Sequence, residues 1–208
     1  MLTAITRAVS PALADCELLF VSRQPIDLSR AYAQHRAYEA LLGKLGAHVI
    51  SLPAEPALPD SMFVEDPAIV LDELAVILPL GRESRRPEAV SLSQALAKFR
   101  KLAYVTLPGT MEGGDILRIG RNTLLANRAW IDTEPFAGYD WIDVAREEPN
   151  AANAVALGGT VVFPASFPRT RALLESRGFH VSPLDISELQ KAESGLTCSS
   201  LLFDSPSV

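Results

Sequence analysis

One local order of elements recurs along the chain and limits what it can fold into. Two apolar runs of strand length meet at a tight turn, a helical stretch follows, and a short strand closes the unit. In one copy, residues 68–71 and 74–78 flank an Asp72-Glu73 turn. Residues 88–101 then carry Leu92, Leu96 and Phe99 at helical spacing, and 103–106 read as a strand. In a second copy, 154–157 and 160–163 flank Gly158-Gly159, a hairpin signal. A helix over 170–177 ends at Gly178, and Phe179-His180-Val181 starts the next strand. The same helix–glycine–strand step occurs earlier, where Ser29 opens a helix to about Leu45, Gly46 ends it and Ala47-His48-Val49-Ile50 follows. Gly46-Ala47-His48-Val49 and Gly178-Phe179-His180-Val181 are therefore equivalent positions of two copies.

Such a chain is α/β, one domain over residues 1–208, built from pseudo-symmetric β-β-α-β units. In a ring of such units the loops after each last strand meet at one end of the axis. Those loops hold the unusual residues: 59–67, 108–115 and the stretch ending 193–199. Loops on a rigid scaffold are where function usually sits. Composition narrows the function. Nineteen Lys and Arg against 25 Asp and Glu give a net charge of −6, which argues against nucleic acid. Two cysteines cannot make a disulfide framework, no apolar signal core opens the chain, and no apolar run is long enough for a membrane span. The expectation is an acidic, soluble, cytoplasmic protein.

Four carboxylates stand out: Asp60, Glu65, Asp66 and Glu112. Acids in Pro/Gly loops are often turn formers and caps. As a converging set they would repel one another unless a cation joined them. A guanidinium, planar and rich in N–H donors, suits such a cluster. A hard metal ion competes, but no ligand spacing supports a metal site. Cys198, in Gly-Leu-Thr-Cys-Ser-Ser, is the candidate nucleophile, although a lone cysteine is more often a small core residue. Cys16 reads as structural. Acidic neighbours should raise the Cys198 pKa, and a bound cation should lower it again. Arg85 and Arg86 are either a solvated turn or a clamp for a ligand carboxylate.

Taken together, Pro59-Asp60-Ser61, Phe63-Val64-Glu65-Asp66, Glu83-Ser84-Arg85-Arg86 and Glu112-Gly113-Gly114-Asp115 resemble the dimethylarginine dimethylaminohydrolases, of the guanidine-modifying superfamily. Ala151-Ala152-Asn153, Phe167-Pro168-Arg169-Thr170-Arg171 and Glu193 with Leu196-Thr197-Cys198 agree, in the same order. The resemblance implies a fivefold α/β-propeller, or pentein, and chemistry without metal or cofactor. Cys198 would attack the guanidinium carbon of an N-methylated arginine, releasing an alkylamine and citrulline. Asp66 and Glu112 would bind guanidinium nitrogens, Asp60, Glu65 and Glu193 would line the substrate pocket, and Arg85 would meet the amino-acid carboxylate. The implied partner is a small guanidino amino acid, with a homodimer left open.

One departure is large. After Gly114-Asp115-Ile116-Leu117-Arg118-Ile119-Gly120 the chain runs directly into Arg121-Asn122-Thr123-Leu124-Leu125-Ala126, which resembles the family's sequence beyond its His-Leu-Lys motif. About one unit is absent after Gly120, and the catalytic histidine with it. His35 reads as a surface or packing residue. His48 and His180 begin strands whose far ends feed the site loops, and a strand of about five residues rises roughly 17 Å. The expectation is therefore a slow hydrolase at best. The alternatives are a homologue that binds guanidino ligands without turnover, and an interaction protein with relic loops, which the retained Cys198, Glu112, Asp66 and Arg85 disfavour.

Overall fold

A computed structural model describes residues 1–119, 123–126 and 142–206. In chain order its elements are β1 (Leu2–Arg7), α1 (Leu28–Lys44), β2 (His48–Leu52), β3 (Ala68–Val70), β4 (Leu74–Ile77), α2 (Glu88–Leu96) and β5 (Lys101–Tyr104). There follow β6 (Ile116–Ile119), β7 (Thr123–Ala126), β8 (Val155–Leu157), β9 (Thr160–Pro164), α3 (Pro168–Ser176), β10 (His180–Leu184), α4 (Ser187–Gln190) and β11 (Leu201–Asp204).

The repeat is present three times among the described residues. Strand orders are β3-β4-β5, β8-β9-β10 and β11-β1-β2. In each, the first pair is antiparallel and the second parallel, as a hairpin followed by a helical crossover requires. The third copy joins the two ends of the chain, because β1 lies between β2 and β11. The equivalence of His48 and His180 holds at the level of register: each is the first residue of its parallel strand, opposite Thr3 and Thr160 respectively. Both preceding helices end alike. Gly46 (φ 101°) and Gly178 (φ 88°) are left-handed, and the next N–H reaches back five residues, Ala47 to Leu42 and Phe179 to Leu174.

A two-stranded sheet, β6-β7, completes the described strands, pairing antiparallel from Ile116↔Ala126 to Ile119↔Thr123. The junction after Gly120, where the sequence reading has about one unit absent, lies outside the described residues. The structure is thus an assembly of small α/β sheets with no closed barrel, short of five complete units among the described residues.

Some boundaries differ from the sequence reading. Asp27, not Ser29, caps α1, its carboxylate accepting the Arg30 N–H at 3.1 Å. Helix α2 stops at Leu96 instead of continuing to 101, and β5 starts at Lys101 instead of 103. Phe99 leaves the helix and packs edge-on against Phe203, ring centroids 5.5 Å apart, while Lys101 pairs with Leu74. Helix α3 begins two residues early, at Pro168, where the missing N–H costs nothing.

Adjacent residues of β1 serve two cores. Ala4 belongs to one with Leu13, Tyr38, Leu42, Val162 and Leu196, and Ile5 to another with Ala75, Ile77, Leu92, Leu96 and Leu201. Side chains alternate across a strand, so one buried strand glues two layers together. No helix among the described residues is long and apolar enough to cross a membrane.

Candidate active site

The three loops after β2, β5 and β10 touch one another. Glu65 N–H donates to the Cys198 carbonyl at 3.3 Å, and Gly113 N–H donates to the Asp66 carbonyl at 2.7 Å. The approach at Gly113 admits no side chain, since a Cβ there would sit 2.0 Å from the Glu65 carbonyl oxygen. Gly195 is equally constrained by Asn153, whose Cγ would lie 2.2 Å from such a Cβ. The two carboxylate loops are therefore locked together at Gly113, and the thiol loop is held at Gly195 against the Asn153 side chain.

Cys198 sits in a 3-10 turn, Thr197–Ser199, half-buried and packed against the first core. Its Sγ accepts the Gly195 N–H at 3.4 Å. Asn153 fixes the turn from outside: its amide donates to Thr197 Oγ1 and its carbonyl accepts the Thr197 N–H, both at 3.0 Å. Thr197 Oγ1 in turn donates to Glu65 Oε2 at 2.9 Å. Burial pushes the Cys198 thiol up to about 12, and the carboxylates of Asp66 and Glu65 add to that. The free site holds a neutral thiol, in line with the sequence reading.

Burial also raises the carboxyls of Asp60, Asp66 and Glu112 above the usual range, and neighbouring acids reinforce it in each. Glu112 accepts the Gly81 N–H, and Asp60 accepts the Glu17 N–H at 3.1 Å.

Arg85 is buried among these acids. Its Nη2 donates to Asp66 Oδ2 at 3.0 Å and to Glu88 Oε2 at 2.9 Å, its Nε donates to Glu88 Oε1 at 3.0 Å, and the guanidinium lies 5.8 Å from the Phe63 ring centre. Asp66, a predicted guanidinium ligand, thus already holds one, supplied by the chain itself. Glu88, the bidentate partner, is absent from the sequence reading. Its signal was the i,i+3 spacing to Arg85 across the start of α2.

The Glu193 carboxylate accepts the N–H groups of Leu19, Phe20 and Val21 at 2.5–3.0 Å. Glu193 is left-handed (φ 58°) just beyond α4, a conformation that glycine takes more easily. Arg23 also ties this segment down, donating to the carbonyls of Ala14 and Cys16. Residues 17–21 therefore form a strap held by two of the predicted site acids, Asp60 and Glu193. Glu193→Gly should leave global stability within about 1 kcal/mol, because the backbone relaxes. Amide exchange at Leu19, Phe20 and Val21 should accelerate by roughly 10-fold or more for each 1.4 kcal/mol of lost local stability. Hydrogen exchange resolved to these residues checks this, and unchanged protection would remove the clamp.

A cavity of about 230 Å³ opens beside Glu65 and Thr197, lined further by Gly113, Val155, Ser200 and Leu202. Among the described residues, no group of three His, Cys, Asp or Glu could hold a metal ion. The chain's three histidines all lie off the three loops. His35 is buried on α1 with Nε2 3.2 Å from Glu39, whereas His48 and His180 open β2 and β10.

No family model matches the chain. Solved structures do, over nearly its whole length. A dimethylarginine dimethylaminohydrolase with a histidine-to-glycine replacement, an adduct with S-methyl-L-thiocitrulline, superimposes with a TM-score of 0.86 at 28% identity, covering 98% of this chain and 100% of that one. A cysteine-to-serine variant of the Pseudomonas aeruginosa enzyme, complexed with citrulline, gives 0.86 at 27% identity, covering 97% and 98%. The N-terminal domain of ArgZ, an arginine dihydrolase from Cyanobacteria, shares the fold alone, at 14% identity and a TM-score of 0.77. Repeat, loop cluster and these likenesses define the class: a pentein, an α/β-propeller. Within it, a Streptomyces coelicolor protein named N(G),N(G)-dimethylarginine dimethylaminohydrolase is 32% identical over 97% of this chain and 86% of its own length. Its Pseudomonas aeruginosa namesake is 28% identical over 85% and 90%. The chain belongs to the dimethylarginine dimethylaminohydrolase family.

Proposed function

We propose that the chain is a cysteine-dependent hydrolase of an N-methylated arginine, releasing an alkylamine and citrulline. The observation that carries this reading is the contact between the Cys198 turn and the Glu65-Asp66 loop, with Glu112 locked alongside through Gly113. Asp66 and Glu112 hold the guanidinium nitrogens, and Asp60 and Glu65 line the pocket. The arriving cation neutralises the acids that keep the Cys198 thiol protonated, so substrate binding itself favours the thiolate. Sulfur then attacks the guanidinium carbon. Arg85 meets the substrate carboxylate through Nη1, the nitrogen that its ion pairs with Asp66 and Glu88 leave unused.

Citrulline formation from N-methylated arginine, with covalent labelling of Cys198 by 2-chloroacetamidine, tests the reading. Arg85→Ala should weaken arginine-like ligands more than simple alkylguanidines in calorimetry. Equal losses would remove Arg85 from the carboxylate subsite. Labelling without citrulline would favour the second reading, a guanidino-binding homologue without turnover, which the position of all three histidines off the site loops supports.

A further inference from the structure

A thiol hydrolase of this kind needs one group to carry protons at three moments: off the thiol, onto the departing amine, and off the attacking water. None of the histidines is on a site loop. The loops themselves supply a different candidate. Glu65 accepts a hydrogen bond from Thr197, the residue before Cys198, and its own N–H binds the Cys198 carbonyl. Its carboxyl therefore stays beside the nucleophile's turn whatever the substrate does. Glu65 Oε2 and Asp66 Oδ1 both face Gly114, 4.0 Å and 3.1 Å from where a Cβ would be. Glu65 also lines the 230 Å³ cavity, a largely apolar space in which Thr197 and Ser200 are the other polar side chains. At about 30 Å³ per water in the liquid, several waters fit there, with the polar partners that ordered water needs.

We propose that Glu65 is the general acid and base of this enzyme and draws the hydrolytic water from that cavity. This rests on the hydrolase reading above. In the first half, ionised Glu65 takes the Cys198 S–H proton as sulfur bonds to the guanidinium carbon. The resulting Glu65 carboxylic acid gives the proton to the substituted nitrogen, the C–N bond breaks, and the amine leaves with the bonding pair. A thiouronium on Cys198 and an ionised Glu65 remain. In the second half, Glu65 takes a proton from water as its oxygen attacks the same carbon. Collapse breaks the C–S bond and sulfur recovers the proton from Glu65; the O–H proton of the ureido cation passes to solvent, where the released amine takes it up, and the starting enzyme is restored. Guanidinium and water go in, and urea and ammonium come out, with the single positive charge conserved.

The electrostatics suit this duty. Burial raises the Glu65 carboxyl to about 7, Asp66 pushes the same way, and the Thr197 hydrogen bond opposes them. Both forms are then populated near neutral pH, the condition for efficient proton transfer in both directions. The charged and titratable groups facing it are Asp66, Cys198 and Tyr38. Burial holds Tyr38 as a neutral phenol, hydrogen-bonded to Ser200 at 2.7 Å.

The test compares the parent chain with Glu65→Gln and Glu65→Asp, using N-methylated arginine turnover and 2-chloroacetamidine labelling across pH 5.5–8.5. The parent's kcat/KM should rise with pH through about 7, as Glu65 ionises. Glu65→Gln should lose roughly 10²-fold or more in citrulline formation and lose that limb, and Glu65→Asp should recover part of both. Labelling of Cys198 should slow in Glu65→Gln, which lacks the base for the thiol proton, but still run to completion at higher pH, showing an intact site. Glu65→Gln turning over within a few-fold of the parent, with the same limb, would overturn the proposal. So would a parent that labels but forms no citrulline, which leaves the binding reading standing. A parent that does neither sinks the hydrolase reading along with it.

Discussion

Cys198→Ser is expected to abolish both covalent labelling and citrulline formation while leaving the fold unchanged. The replacement is nearly isosteric, and a serine oxygen can still accept the Gly195 N–H that Sγ accepts at 3.4 Å. What changes is ionisation. The site holds even a thiol up at about 12 through burial and the charges of Asp66 and Glu65. A hydroxyl there has no accessible anion, and a bound cation cannot make up the difference. Removing a nucleophile from a catalytic unit costs on the order of 10⁴-fold or more, above about 5 kcal/mol of transition-state stabilisation. Intact mass after chloroacetamidine treatment, a citrulline assay and circular dichroism measure the three parts, and peptide mapping places any remaining label. A label that moves to Cys16, fully buried in the core, or citrulline formation within 10-fold of the parent, would show that Cys198 is not the nucleophile.

Glu88→Ala is expected to destabilise the protein by about 3 kcal/mol, the cost of breaking a buried charge pair by removing one partner. Glu88 is 2% exposed and Arg85 8% exposed, and their contact is bidentate. The value sits at the low end of the usual range because Arg85 keeps Asp66, 3.0 Å away. A second effect follows from that surviving contact. With Glu88 gone, Arg85 has only Asp66 to satisfy it, and a ligand guanidinium must compete for the same carboxylate. Affinity for simple alkylguanidines should fall even where the protein is fully folded. Urea midpoints and ligand titrations separate the two effects. A stability change under about 0.5 kcal/mol would mean that Glu88 is not the partner that holds Arg85 in place.

The parts of the fold legible in the sequence were those written within one unit. Gly158 and Gly159, with φ of 56° and 73°, announce the β8–β9 hairpin because few other residues tolerate that turn. Gly46 and Gly178 mark helix ends for the same reason. The sheet β11-β1-β2 was not legible, since β1 reads as an unremarkable start and its partners lie far along the chain. The end of α2 was lost to a tertiary contact, Phe99 with Phe203, which no local periodicity encodes. At the site, the residue types and their loops were legible from motif spacing, as was the raised thiol pKa. The partnerships were not. Whether Glu193 faces a ligand or three backbone N–H groups, and whether Arg85 is free or held by Glu88 and Asp66, depends on side-chain geometry that only packing decides.

The stitching of β1 between β2 and β11 also sets an order of events during synthesis. Strand β2 follows β1 after a single helix and can pair with it early. Strand β11 must wait until every other described strand has been made, and its roughly fourfold longer loop costs about 1 kcal/mol more to close. Cys198 lies in the turn just before β11. Cys198 therefore follows the other two loops of the site in synthesis and is fixed in place by the last of the described strands to dock. Until then the Ile5 face of β1 lacks Leu201 and Phe203, two of its core neighbours. A nascent chain that has not yet docked β11 would hold the acidic loops in place with the Cys198 turn still unanchored beside them.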